Sequence, residues 1–239
     1  MLGDIAYSLI SAGYKMPKSV KAKIERFFYQ SYIAELLKKL RINCVLDVGA
    51  NIGTYAQNLR KLGYKGHILC FEPHPEIFPT LQKNFKHDPL WRGYNLGLGN
   101  EDALAAFHFN TYSELSSFLV PEASMPKTVN SCEVKIKPLD SLLDEILTLV
   151  PEPRIFLKMD TQGYDTEVVK GASKCMDKVL CLQSEIAVRS YYMNMPSYLD
   201  ALRYYETLGF ELVDLFAASR NPEGCVVEYD CLMVRSEIN

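Results

Sequence analysis

Val45-Leu46-Asp47-Val48-Gly49-Ala50-Asn51-Ile52-Gly53-Thr54-Tyr55 joins a short apolar run to a helical period through two glycines. Cys44–Val48 has the continuous apolar character of a buried parallel strand, and Gly49 turns the chain at its end. Tyr55–Leu62 follows at helical spacing and is closed by Gly63, just past its last apolar turn. A second apolar run, His67–Phe71, stops at Glu72-Pro73, because proline disfavours helix before it and cannot donate to a ladder. Strand, helix and strand within about 30 residues form a βαβ unit.

The loop between the first strand and its helix has the means to hold a ligand. Glycines let the backbone turn tightly and approach a bound molecule, whose negative end can meet the helix N-terminus. Glu72 ends the second strand, where an acid can accept both hydroxyls of a ribose. A dinucleotide fold would want G-x-G-x-x-G, with its second glycine under the pyrophosphate. Here the spacing is G-x-N-x-G, and Asn51 occupies the middle position. A carboxylate with an ammonium group fits that loop better, the helix N–H groups facing the carboxylate while Asp47 and nearby carbonyls accept from the cation. S-adenosylmethionine (AdoMet) carries that pair of charges. The plainer alternative is a glycine turn with no ligand, and Glu72 weighs against it.

Outward from this unit, strands and helices alternate, which argues for an α/β sheet. Upstream, residues 19–40 place Ile24, Phe27, Phe28, Ile33, Leu36, Leu37 and Leu40 at helical spacings and predict an amphipathic helix packed on the core. Downstream, a helix is expected over 76–85 and a short strand over Tyr94–Leu98. Ala105–Phe109 and Glu133–Lys137 read as an excursion of two strands around a surface loop, 113–131. Helices over 139–150, 166–175 and 197–208 alternate with strands at Ile155–Met159 and Val179–Ala187, and Phe210–Leu215 and Val226–Val234 supply the last two strands. Pro151 and Pro153 read as a turn leading into a strand, not as a boundary.

The 239 residues carry a formal net charge of −3 and are 48% hydrophobic, which gives an ordinary globular core and excludes a generic polyanion binder. No nucleic-acid partner is expected. Seven cysteines without a C-x-x-C pair suit neither a zinc knuckle nor a secreted disulfide framework, and read as reduced thiols of a cytoplasmic protein. No apolar run approaches a membrane span, and the N-terminus lacks the basic start of a signal peptide.

Phe156-Leu157-Lys158-Met159-Asp160-Thr161-Gln162-Gly163-Tyr164-Asp165-Thr166-Glu167 is the second informative stretch. Asp160 falls at the carboxyl end of a buried strand, on the sheet edge where open α/β folds bind ligands. Its competing reading is that Asp160 and Thr161 merely cap the next helix.

The pairing of VLDVGANIGTYA and FEPHP with FLKMDTQGYDTEVVKGA and then LQSEI resembles the FkbM family of AdoMet-dependent methyltransferases, from about residue 43 to 235. The resemblance implies a Rossmann-like class I methyltransferase fold: α/β, a seven-stranded, mostly parallel sheet with an antiparallel last strand, flanked by helices. It implies a methyltransferase domain over 42–239, leaving 1–41 as a helical extension that by analogy covers the active site. Transfer to hydroxyl oxygens of small molecules, sugars, other glycans or polyketides is the implied chemistry. Mapped onto this chain, Asp47, Gly49, Asn51 and Gly53 would line the methionine half of AdoMet and Glu72 would hold the ribose. Asn95, or the turn Leu98–Asp102, would lie near adenine. Asp160 and Glu185 would sit at strand ends beside the methyl group. Many members carry Glu where this chain has Gln162.

An alcohol must lose its proton in or near the transition state, so a general base or a divalent cation is expected. Asp160 is the leading candidate for base or Mg²⁺ ligand and Glu185 the second, unless Glu185 is a buried acid satisfied by a neighbouring Arg or Lys. His74 and His108 are weaker alternatives. A zinc site is not expected, because no histidine pair stands at ligand spacing. Two other functions compete: an NAD-dependent oxidoreductase, disfavoured by Asn51, and a non-catalytic AdoMet- or nucleotide-binding module, which would not need Asp160. Acceptor choice is expected to lie in loops 110–131 and 188–198.

Overall fold

The structure, a computed structural model, describes residues 17–123 and 128–236. The first sixteen residues of the expected extension 1–41, and 124–127 of the expected loop, lie outside the described residues.

Helix α1 (Lys18–Lys39) leads into β1 (Cys44–Val48), α2 (Thr54–Lys61), β2 (His67–Phe71), α3 (Phe78–Asn84) and β3 (Trp91–Tyr94). The excursion follows as β4 (Gly97–Leu98), β5 (Ala103–Asn110) and β6 (Thr128–Lys137). After it come α4 (Leu143–Leu149), β7 (Ile155–Met159), α5 (Asp165–Lys170), β8 (Val179–Ala187), α6 (Tyr198–Thr207), β9 (Phe210–Arg220) and β10 (Val226–Arg235). The main sheet has the order β3-β2-β1-β7-β8-β10-β9, and the excursion forms a three-stranded sheet, β4-β6-β5. β10 pairs antiparallel with both β8 and β9, and every other pair in the main sheet is parallel. This is the Rossmann-like methyltransferase sheet expected from the sequence. The strand order reverses between β1 and β7, and ligands of open α/β sheets bind outside the carboxyl ends at such a point.

β1 is buried along its whole length because helices cover both faces. Cys44, Leu46 and Val48 join one core with the β7 residues Leu157 and Met159; Val45 joins another, with Phe156 and the α1 residues Tyr29, Ile33 and Leu37. The amphipathic reading of α1 holds for that lower half alone. Ile33 and Leu37 are buried, whereas Ile24, Phe27 and Phe28 are 39%, 56% and 65% exposed. Spacing shows which side of a helix is apolar, not which of its turns overlie the sheet.

Other boundaries differ for local reasons. The strand expected over Tyr94–Leu98 splits: Trp91–Tyr94 closes one edge of the main sheet, and Gly97–Leu98 pairs with β6. The helix expected over 166–175 ends at Lys170, where Gly171 packs so close to Gly99 that a Cβ would stand 1.9 Å from the Gly99 carbonyl oxygen. Among the described residues, no helix is long and apolar enough to cross a membrane.

Candidate active site

The carboxyl ends of β1, β2 and β7 converge on two cavities. The narrower, about 80 Å³, runs past Phe71, Glu72, Leu98, Phe107 and Phe118. The wider, about 320 Å³, lies under α1 and is lined by Arg26, Tyr29, Tyr55, Lys158, Gln183 and Asp230 among others. Gly49, Asn51, Glu114 and Asp160 line both.

Gly49 turns out of β1 at φ +74°, and a Cβ there would stand 2.0 Å from the carbonyl oxygen of Asp160, so glycine lets the β1 and β7 turns touch. Asn51 is left-handed too, at φ +48°. Its Nδ2 donates to Ser113 Oγ at 3.0 Å, tying the loop to the excursion. Glu72 is buried, and its carboxylate is gripped by main chain: the N–H of Asn51 donates to Oε2 at 2.6 Å and that of His74 to Oε1 at 2.8 Å. Burial pushes the Glu72 carboxyl up to about 7, against the pull of those two N–H groups. Each carboxylate oxygen has a second lone pair, so Glu72 can still accept from a diol.

Three other residues singled out in the sequence stand apart from the cavities. Asp47 is fully buried and lines neither; its Oδ1 lies 3.1 Å from Lys158 Nζ, its register partner on β7. Side chains alternate along a strand, and Asp47 falls on the face toward α1 and α2. Gly53 caps α2 at φ +85°, and a Cβ there would meet Phe85 and Leu81 side-chain carbons at 2.4 and 2.7 Å, so core side chains fill the space a side chain would need. The amide of Asn95 donates to the carbonyls of Glu72 and Pro73, bracing the end of β2 without lining a cavity.

Asp160 reaches both cavities, with its side chain 43% exposed. Lys158 Nζ lies 3.6 Å from Asp160 Oδ2, and Gln162 Nε2 donates to Asp160 Oδ1 at 3.2 Å. Burial pulls the Lys158 ammonium down, but Asp47 and Asp160 outweigh it and hold it above its ordinary range. Neither Asp160 nor Thr161 caps α5; the cap position is Tyr164, without a side-chain bond. Glu185 lines neither of these cavities, and its Oε2 accepts from Gln162 Nε2 at 2.7 Å, an amide rather than the Arg or Lys of the competing reading. Burial first, then the charges of Asp160, Glu228, Asp230 and Asp165, push the Glu185 carboxyl well above its usual range.

His74 stacks on Phe109 with ring centroids 4.3 Å apart, and its Nδ1 accepts from the Glu76 N–H, so it is occupied away from the cavities. His108 lies on β5 and lines neither. Among the described residues no group of three or more His, Cys, Asp or Glu is arranged to hold a metal. Asp160 and Glu185 instead share the Gln162 amide.

The fit to AdoMet rests on both cavities. The narrow one pairs aromatic and aliphatic walls with a buried acid, as a base and its ribose require. The wide one offers cations at Arg26 and Lys158, acids at Asp160 and Asp230, and the phenol of Tyr29, buried with no hydrogen-bond partner among the described residues. An unpaired buried hydroxyl is costly, and a ligand carboxylate would satisfy it. Arg26 and Tyr29 had no motif to announce them, and Lys158 and Gln162 lay inside a quoted motif without a role assigned. Lys158 did have a signal: a lysine inside a buried strand needs an acid beside it, and β1 carries only Asp47.

The profile of the family described as methyltransferase FkbM domain matches residues 47–212. Methyltransferase 1 of Beauveria bassiana is 28% identical over 145 residues, 53% of this chain and 57% of that protein. Hexuronic acid methyltransferase AglP of Haloferax volcanii is 29% identical over 152 residues, 63% of this chain and 59% of that protein. The alignments thus span under two thirds of the length of these two relatives. The 2-O-methyltransferase NoeI of Sinorhizobium fredii is 23% identical over 198 residues, 77% of each chain. Among solved structures, magnesium protoporphyrin IX methyltransferase of Synechocystis with bound AdoMet superposes with TM-score 0.50 at 11% identity, over 93% of this chain and 86% of that one. At that identity the likeness is one of fold.

Proposed function

The chain belongs to the methyltransferase FkbM family, and from that premise we propose that it transfers the AdoMet methyl group to a hydroxyl oxygen of a sugar or sugar-bearing small molecule. The observation that carries the reading is the position of Asp160 where the two cavities meet, beside Gly49 and Asn51. Two relatives support a sugar acceptor by what they are described as methylating, a hexuronic acid and a 2-hydroxyl oxygen.

In this reading Phe71, Leu98, Phe107 and Phe118 enclose the adenine and Glu72 accepts from the ribose hydroxyls. The amino-acid end crosses Gly49–Asn51 into the wider cavity. There Arg26 and the Tyr29 hydroxyl meet its carboxylate, and Asp230 meets its ammonium group. Helix α1 thereby serves as a cover for the site. AdoMet supplies an electrophilic methyl carbon on a sulfonium. Asp160 orients the acceptor hydroxyl for in-line attack and takes its proton as the oxygen–carbon bond forms and the carbon–sulfur bond breaks. Holding the two substrates in near-attack geometry can account for about 7–11 kcal/mol of barrier lowering.

Calorimetry with AdoMet, S-adenosylhomocysteine and NAD, followed by transfer of labelled methyl to methyl glucoside, methyl fucoside and methyl glucuronide, tests this reading. Micromolar AdoMet binding and label on a sugar oxygen are expected. Tight AdoMet binding with no transfer to any hydroxyl would favour the non-catalytic module, and preference for NAD would favour the oxidoreductase.

A further inference from the structure

The turn after β7 contains a residue that touches neither cavity yet holds both candidate acids. Gln162 is 7% exposed and sits at φ +54°, a left-handed backbone uncommon for a long side chain. Its Nε2 donates one hydrogen to Asp160 Oδ1 at 3.2 Å and the other to Glu185 Oε2 at 2.7 Å. The Tyr192 hydroxyl lies 3.1 Å from the Gln162 Oε1 and 2.8 Å from the Leu115 carbonyl, its one hydrogen lying between the two acceptors. The main-chain carbonyl of Gln162 accepts from Ser117 Oγ at 2.9 Å. With Nε2 inward the amide gives a hydrogen to each acid, whereas with Oε1 inward it would face two carboxyl groups and give none. Backbone strain at a strand end persists only where surrounding contacts over-determine it, and such residues cluster at active sites.

We propose that Gln162 is a positioning residue for methyl transfer: one amide nitrogen holds the carboxylates of Asp160 and Glu185 together and sets the plane in which Asp160 meets the acceptor hydroxyl. Two neighbouring carboxylates repel, and a neutral group with two hydrogens on one atom is suited to holding them without adding charge or a proton. Lys158 completes the arrangement from the opposite side of Asp160. The amide oxygen and main-chain carbonyl carry the same fix to Tyr192 and to Ser117, one in each loop beside the acceptor side of the site. The inference rests on the methyltransferase reading above.

Gln162→Met keeps the length of the side chain and removes both donated hydrogens. With the sugar that accepts label in the panel, kcat is expected to fall about tenfold or more. The acceptor KM and the AdoMet Kd should stay within about threefold. A kcat within about twofold of wild type would overturn the proposal, as would a loss of affinity, KM and melting temperature in step with kcat. A second measurement needs neither acceptor nor folded variant at this position. In the ¹⁵N–¹H spectrum of the wild-type protein the two Gln162 side-chain protons should both depart from the shifts of a free amide and be slow to exchange. Asp160→Asn should move one and Glu185→Gln the other; a pair with the shifts of a free amide, moved by neither, overturns the bridge even if no acceptor is methylated.

Discussion

The acids at the ends of β2 and β7 are both near the cavity where the strands diverge, but they are held differently. Glu72 is buried and fixed by two main-chain N–H groups, one from its own turn and one from the β1 loop. Asp160 is partly exposed and fixed by side chains, the Lys158 ammonium and the Gln162 amide. A carboxylate gripped by main chain is rigid and suits recognition, because its geometry is set before a ligand arrives. A carboxylate gripped by side chains can give up or gain a proton while its neighbours adjust. Under the proposed function, one edge of the sheet would divide binding from chemistry through the kind of donor each strand end meets.

If the division is real, substitutions at the two ends should fail in different ways. The largest effect is expected from Asp160→Asn, which should lower turnover by about 10²–10⁴ and leave AdoMet affinity within a few-fold. Steady-state kinetics beside calorimetry would check it; full turnover would remove Asp160 from the reaction. Glu72→Ala should weaken AdoMet at least about tenfold, since two charge-assisted hydrogen bonds contribute about 1.5–3 kcal/mol each. A loss below about twofold would put the ribose elsewhere and break the comparison at its other end.

Smaller effects concern stability. Gly53→Val should destabilise the fold by about 1–3 kcal/mol for overpacking against Leu81 and Phe85, and by about 1–2 more for a left-handed non-glycine residue. Urea titration would measure the loss. A fully stable variant that no longer binds AdoMet would return Gly53 to the ligand side. The smallest expected effect is on pH dependence. Burial pushes Glu72 up to about 7 and Asp230 up to about 6, so the folded protein holds these protons more tightly than the unfolded chain does. Their contribution to stability is present below the ordinary carboxylate range and is lost as pH rises through 6 and 7. The melting temperature should fall between about pH 5 and pH 8, and fall less in Glu72→Ala; an equal slope in both proteins would mean that Glu72 is not so perturbed.

Much of the scaffold was legible in the sequence. β1, β2, β7 and β8 begin and end as expected, because strands buried on both faces are predominantly apolar and stand out from the polar turns beside them. β3 was displaced because Trp91-Arg92-Gly93-Tyr94 lies at a sheet edge, where one side needs no apolar run. The glycine loop and Glu72 were legible because their spacing reflects main-chain geometry. Gly53 and Asp47 were read as ligand-facing from the same motif, but a motif records which residues recur and not the side to which each points. Gln162 was noted only as a departure from a resemblance. Its role depends on Glu185 and Tyr192, 23 and 30 residues further along the chain, and no local pattern encodes that meeting.

The buried pair Asp47–Lys158 has a consequence for assembly. β1 and β7 pair in register across more than a hundred residues of intervening chain, so bringing them together carries a loop-closure cost. Sliding β7 by one residue would turn every side chain to the opposite face and drive the Lys158 ammonium into the hydrocarbon packed around Leu46 and Leu157. A uniformly apolar pair of strands would tolerate that slip far better. Lys158→Met in an Asp47→Asn background should therefore refold with more mispaired species in stopped-flow traces, even if the final product is no less stable. One ammonium among hydrocarbons thus works as a checksum on strand alignment, rejecting offset pairings before the ligand-binding edge can form.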